Sequence, residues 1–352
     1  MALTGLPFLD SLLGNAEAAA LLGPEANIAA MLRFEAALAT AQAGLGLIEP
    51  SAAEAIETAV RGFTPDLARL TAATLRDGVP VPDLVAQLRD AVGDEHGKSI
   101  HFGATSQDVV DTALALKLVP VFELLETGLQ AADAALGDLR ARFGTAPLMG
   151  RTRMQAAIPI TAGDRISVWQ NAVQRVAEGL DAERQGMLIL SLAGAAGTAE
   201  KLGKTIGPLR RALAENLGLS VPSYVPHTDR GRIADFAGFL SRLTGALGKI
   251  GQDVALMAQT GVEEIAMAGG GGSSAMPHKQ NPVRAEVLVT LARYNAVQLS
   301  AIHQALIHEQ ERSGSAWMLE WLVLPQMVEA AATALSHAIS MLKSVQRIGE
   351  PG

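Results

Sequence analysis

The sequence contains no cysteine, which excludes disulfides, thiolate catalysis, iron–sulfur clusters and cysteine-ligated zinc. Aromatic residues are also scarce, at 4%, while 49% of the chain is hydrophobic. A composition dominated by Ala and Leu favours helices packed closely through small side chains over a sheet sandwich. Positive charge is in deficit: 28 Lys and Arg against 36 Asp and Glu leave a formal net charge of -8. No nucleic-acid partner is expected, because such a binder needs a basic stripe to displace counterions. A small anion remains an allowed ligand, since neighbouring cations dominate the field inside a cleft.

No basic residue precedes Arg33, so the N-terminus lacks the charged start of a secretory signal. The most apolar internal stretch, Met187 to Ala199, is too short and glycine-rich to span a bilayer. The expectation is a cytoplasmic protein with no membrane partner. Metal-ligand patterns are missing as well: the pairs His96/His101 and His303/His308 are five residues apart, which does not place both on one helical face, and no HExxH occurs. No metal site and no cofactor are expected.

What is present is helix. At 352 residues the length suggests two or three domains, although long bundles can run as one. Thr64-Pro65-Asp66 reads as a helix N-cap followed by proline at the first helical position, with Gly78 as the stop. Ser106 to Phe143 reads as near-continuous helix, roughly 55 Å long, with a kink expected at Pro120. Similar stretches run from about Thr161 to Leu190, Gly231 to Ile265 and Pro282 to Gln310, followed by Pro325 to Val345. Helices this long suit an elongated bundle, often one shared between subunits. With no strand–helix alternation, a parallel sheet is not expected. The domain reading is an N-terminal helical domain over 1–102, a central long-helix bundle over 103–345, and a C-terminal domain that is shortened or absent.

Three polar stretches interrupt the helices. GGGGSSAMPHKQNP, Gly269 to Pro282, lacks both the P-loop Gly-Lys-Ser/Thr and any GxGxxG spacing. Its glycines suit a lid that brings a hydroxyl, an ammonium and an amide onto a substrate; a tolerant linker is the alternative. HFGATSQDVVDT, His101 to Thr112, puts Thr105, Ser106 and Gln107 at a helix start, either as a cap or as a carboxylate site. GRTRMQAAIP, Gly150 to Pro159, concentrates Arg151, Thr152, Arg153 and Gln155, whose arginines are either ligands or solvated. Arg312 and Trp317, after the fourth long stretch, can reach a cleft, although Trp317 and Trp321 at i and i+4 equally suit core packing.

Together, and in the order in which they follow along the chain, the three stretches resemble the signature regions of the fumarase/aspartase superfamily. The loop is similar to its GSSxMPxKxNP signature, and the resemblance covers the chain from about residue 90 onward. It implies an all-α fold whose long helices build the core of a homotetramer, with active sites drawn from three different subunits. It further implies that Ser273 exchanges a proton at a carbon α to a carboxylate, that Lys279 and Asn281 bind that carboxylate, and that Thr105, Ser106, Ser274 and Met276 hold substrate. Such chemistry builds a dianionic intermediate, and cations and hydrogen-bond donors around its oxygens stabilise it.

One departure narrows the branch. Superfamily lyases mostly carry GRTHxQ in the second region, and Arg153 occupies the histidine position here. Expelling an amine or hydroxide needs protonation, whereas a carboxylate leaving group, with a pKa near ~4, does not. The resemblance therefore points to a cycloisomerase that closes a carboxylate onto a conjugated diene. A small tricarboxylate substrate would account for His101, Arg151, Arg153, Lys279 and Arg312 together. The alternatives are a lyase acting on adenylosuccinate or argininosuccinate, a cycloisomerase for a sulfonated analogue, and a catalytically silent helical scaffold.

Overall fold

The computed structural model describes residues 4–269, 271–272, 276 and 280–349. Prolines and short polar side chains set where its helices start. Pro7 opens α1 (Pro7–Leu13), Asn15 caps α2 (Ala16–Leu21) by accepting from Ala18 N–H, and prolines open α3 (Pro24–Gly44) and α4 (Pro50–Gly62). Asp66, rather than Thr64, caps α5 (Leu67–Asp77), because its carboxylate takes both the Ala68 and Arg69 N–H groups. Gly78 ends that helix in the left-handed region at φ 72°, as the sequence suggests. After α6 (Val81–Val92), a tight loop leads to α7 (Ser106–Phe143), which runs unbroken through Pro120 for 38 residues.

The polar stretch Gly150 to Pro159 departs from the helical pattern around it. It forms an antiparallel hairpin of β1 (Pro147–Thr152) and β2 (Gln155–Thr161). Arg153 and Met154 make its two-residue turn, both at positive φ, 48° and 67°. The stretch expected as one helix from about Thr161 to Leu190 is two, α8 (Ala162–Glu178) and α9 (Leu180–Met187), separated at Gly179. After α10 (Ile206–Leu217) comes α11 (Gly231–Met257), shorter at its C-terminal end than expected because the chain turns into β3 (Ile265–Met267). α12 (Val283–Gln304) likewise stops short of Gln310. α13 (Ser315–Lys343) starts ten residues before Pro325, which lies inside it, and leads to β4 (Val345–Ile348), the partner of β3. The all-α expectation holds, with two small two-stranded sheets added.

Two apolar clusters hold the helices. The larger joins α8, α9, α11, α12 and α13 to the part of α7 from Leu118 onward. The second joins α3, α4, α5, α6 and α10 to the first turns of α7, Val109 to Leu116, so α7 threads both. α11 and α12 run antiparallel and nearly touch: a Cβ on Gly248 would lie 2.5 Å from Ala292 Cβ, and one on Gly251 2.6 Å from the Ala285 carbonyl. Neither site admits a larger residue without separating the helices. By length and composition α13 could cross a bilayer, but 67% of its most apolar window is buried in the bundle.

Candidate active site

The long helices separate two polar ends. At the first, Thr105 and Asp108 form a capping box on α7. Asp108 is fully buried and accepts from Thr105 N–H at 3.1 Å, Ala193 N–H at 2.8 Å and Gly194 N–H at 3.0 Å. His227 Nε2 lies 2.8 Å from the same carboxylate, and its Nδ1 is buried with no partner among the described residues. Four hydrogen-bonding groups around one carboxylate fix the start of α7 against two loops.

Arg312 reaches this helix start from the α12–α13 connection. It donates to Gln107 Oε1 at 3.1 Å, to Thr105 Oγ1 at 2.9 Å and to the Ala195 carbonyl at 3.0 Å. All three acceptors are uncharged, and among the described residues no carboxylate pairs with Arg312. A cation held by neutral groups beside a helix N-terminus is arranged to receive an anion. Thr105, Ser106 and Arg312 are thus brought together, and His101 lies in the loop that leads into the same helix.

Behind them lies a buried ionic layer. Arg230 donates to Asp111 at 2.6 Å and to Glu320 at 2.8 Å, and Trp317 Nε1 donates to Asp111 at 3.2 Å. Burial works against the Asp111 charge, yet Arg230, through charge and hydrogen bonds and with help from Arg232, holds its carboxyl below the usual range. Trp317 is buried and packs edge-on against Trp321 at 4.6 Å. Of its two sequence readings, core packing is the one observed.

The second end carries the hairpin and the base of the glycine loop. Arg151 donates to Glu264 at 2.8 Å, and Arg165 approaches the other oxygen of Glu264 at 3.3 Å. Thr152, Arg153 and Gln155 are exposed at the hairpin tip. Asn281 pairs its backbone with Gly271 at 2.9 and 3.0 Å, closing the loop at its neck. Met276 is exposed. Ser273, Ser274 and Lys279 lie outside the described residues.

These ends are far apart within one chain. The first sits at the N-terminus of α7, whereas the hairpin follows its C-terminus, 38 residues and roughly 55 Å of helix away. α11 makes the same journey, leaving Arg230 at one end and leading to Glu264 at the other, over 27 residues or about 40 Å. One chain therefore gathers His101, Thr105, Ser106 and Arg312 in one place and Arg151, Thr152, Arg153, Gln155 and Asn281 in another. Sequence reasoning missed Glu35, Asp108, His227 and Glu264 as supports; only Asp108 left a local signal, the Thr-x-x-Asp spacing of a capping box.

Comparison with known proteins gives this arrangement its class. A family model described as lyase matches residues 19–296. A 3-carboxy-cis,cis-muconate cycloisomerase from Pseudomonas aeruginosa is 39% identical over 333 residues, covering 93% of this chain and 72% of that protein. A nitrosuccinate lyase from Streptomyces davaonensis is 37% identical, covering 90% of this chain and 69% of that protein. Among solved structures, the 3-carboxy-cis,cis-muconate lactonizing enzyme from Pseudomonas putida superposes with a TM-score of 0.91 at 34% identity, covering 97% of this chain and 77% of that one. The chain belongs to the lyase family of the fumarase/aspartase superfamily. Within that family its similarity runs strongly to the muconate-lactonizing branch, in sequence and in backbone alike.

Proposed function

We propose that the protein is a 3-carboxy-cis,cis-muconate cycloisomerase, acting in the cytoplasm as a homotetramer in the protocatechuate branch of aromatic breakdown. One carboxylate oxygen of the substrate adds to the conjugated diene while a proton is delivered to the carbon α to another carboxylate. One C–O bond and one C–H bond form, one C=C bond is lost, and the product is 4-carboxymuconolactone. Proton transfer and carboxylate addition need no cofactor.

The observation that carries this reading is 39% identity to the Pseudomonas aeruginosa cycloisomerase across 93% of the chain. The site chemistry supports it. Arg312, with only neutral partners among the described residues, and the N-terminus of α7 offer one anion site; Arg151 and Arg153 offer cations for a second. Ser273 is assigned the proton exchange, with Lys279 and Asn281 on the carboxylate it neighbours. Ser274, Met276, Thr152 and Gln155 would complete the substrate's surroundings. Because the two ends of the chain lie about 40 Å apart or more, a complete site requires ends from different copies. A second reading follows from the 37% identical nitrosuccinate lyase. Eliminating nitrite also expels a weak base, so Arg153 fits both reactions.

The test is loss of the diene absorbance of 3-carboxy-cis,cis-muconate on mixing with the protein, with nitrosuccinate assayed beside it. Lactonisation should proceed, and Ser273→Ala should lower kcat by about a thousandfold or more with an unchanged circular dichroism melt. Turnover of nitrosuccinate alone would favour the second reading. Equal turnover by wild type and Ser273→Ala would remove Ser273 from the mechanism.

A further inference from the structure

The loop carrying His101 is held from two helices at three points. Glu35 on α3 places Oε1 2.6 Å from His101 Nδ1. Gln42, on the same helix, donates to the Phe102 carbonyl at 2.7 Å, and Arg89 on α6 donates to the Ile100 carbonyl at 3.0 Å. His101 adopts φ 63°, in the left-handed region, so the clamp holds it in a sparsely populated backbone conformation.

Glu35 is the unusual member. It is 2% exposed, and its second oxygen, Oε2, has no hydrogen-bond partner among the described residues. A buried carboxylate with half its acceptor capacity unfilled is costly unless a cation faces it. Its one ion-pair partner among the described residues is His101. Because a carboxylate only accepts, His101 Nδ1 must carry a proton, and the ring is neutral or cationic according to whether Nε2 carries one too. No hydrogen bond reaches Nε2 among the described residues.

The charged groups facing the ring are Glu35 from α3, Asp108 from α7 and Arg89 from α6. Burial disfavours the charged ring. The charge and hydrogen bond of Glu35, with help from Asp108, outweigh burial and the repulsion from Arg89, so the imidazole pKa lies above its ordinary 6.5.

We propose that Glu35 is a positioning residue that fixes His101 through Nδ1 and keeps it an imidazolium, leaving Nε2–H to bind one carboxylate of the substrate near neutral pH. The inference rests on reading residues 101–107 as a carboxylate site. Glu35→Gln keeps the size and an acceptor for Nδ1 but removes the charge, so burial and Arg89 then act unopposed by Glu35. Its consequence is a ring that loses its proton at lower pH.

The experiment follows His101 by NMR of histidine labelled with 13C at Cε1, its resonance assigned by its loss in His101→Gln, alongside the pH profile of kcat/KM. In wild type kcat/KM should be high while His101 is charged and fall as pH rises through its raised pKa. In Glu35→Gln both the titration and that fall should move to lower pH together. At pH 7.5 the variant should lose roughly tenfold in kcat/KM, mainly through KM. Placed on His101→Gln, Glu35→Gln should cost nothing further. An unmoved titration, a titration that moves while kcat/KM does not, or a full additional loss on His101→Gln would each overturn the proposal. Should wild type leave 3-carboxymuconate untouched, the lactonising reading fails. The affinity of tricarballylate, a saturated tricarboxylate probe, then decides the dyad. Binding that weakens with rising pH in step with His101 supports it, and binding indifferent to that titration overturns it.

Discussion

Arg230 is 2% exposed and joins two buried carboxylates, Asp111 and Glu320, that would otherwise face each other. Removing it leaves both charges buried without their principal partner, so Arg230→Ala should cost about 3–5 kcal/mol at pH 7 in urea unfolding. The cost should depend on pH in a definite direction. Asp111 has a folded-state pKa below the ordinary carboxylate value of 3.8. It therefore contributes stability above that value, and the contribution is lost as pH falls through the depressed one. In Arg230→Ala the buried carboxyls gain by protonating, so the gap between variant and wild type should narrow as pH is lowered. A gap that widens in acid would contradict this account. None of these partners could be paired from sequence, because Asp111, Arg230 and Glu320 are separated by 119 and 90 residues. Glu35 was hidden for the same reason: inside an Ala-rich helix it has the look of a solvated charge until a loop 66 residues away covers it.

The helices were the most legible elements, since apolar periodicity over long segments declares them and glycine or proline marks many of their ends. Pro325 misled because proline favours a first helical turn, yet α13 carries it internally. The hairpin escaped notice because Arg153 and Met154 occupy a turn that usually asks for glycine or asparagine. At the neck of the glycine loop the constraint is steric. A Cβ on Gly271 would lie 2.6 Å from Val283 Cγ2, and Gly271 also pairs with Asn281. Gly271→Ala should therefore reduce kcat/KM by roughly tenfold or more while shifting the thermal midpoint little, through displacement of Asn281. Adding Val283→Ala removes the opposing methyl and should restore much of the loss. A double variant no better than Gly271→Ala alone would show that the clash is not the cause.

Across the whole molecule, the three signature stretches were legible in sequence, but their separation into opposite ends was not, because it depends on the directions of α7, α11 and α13. If sites are shared between copies, as proposed, complementation follows. Ser273→Ala and Arg312→Ala should each be nearly inactive alone. After unfolding and refolding together they should regain activity in about a quarter of the sites, the statistical share when two ends come from different chains. Light scattering should then give a mass about four times the 36.6 kDa of one chain. A mixture as inactive as its components would place each complete site within one chain.

The proposed sharing of sites between copies would make catalysis a function of protein concentration. Each chain has its own two apolar clusters, and on that proposal a lone chain would carry only unmatched halves of the site. Below the dissociation constant of the assembly, specific activity would fall steeply while the helical circular dichroism signal persisted. Substrate, by bridging halves from neighbouring copies, would oppose that dilution and act as glue as well as reactant.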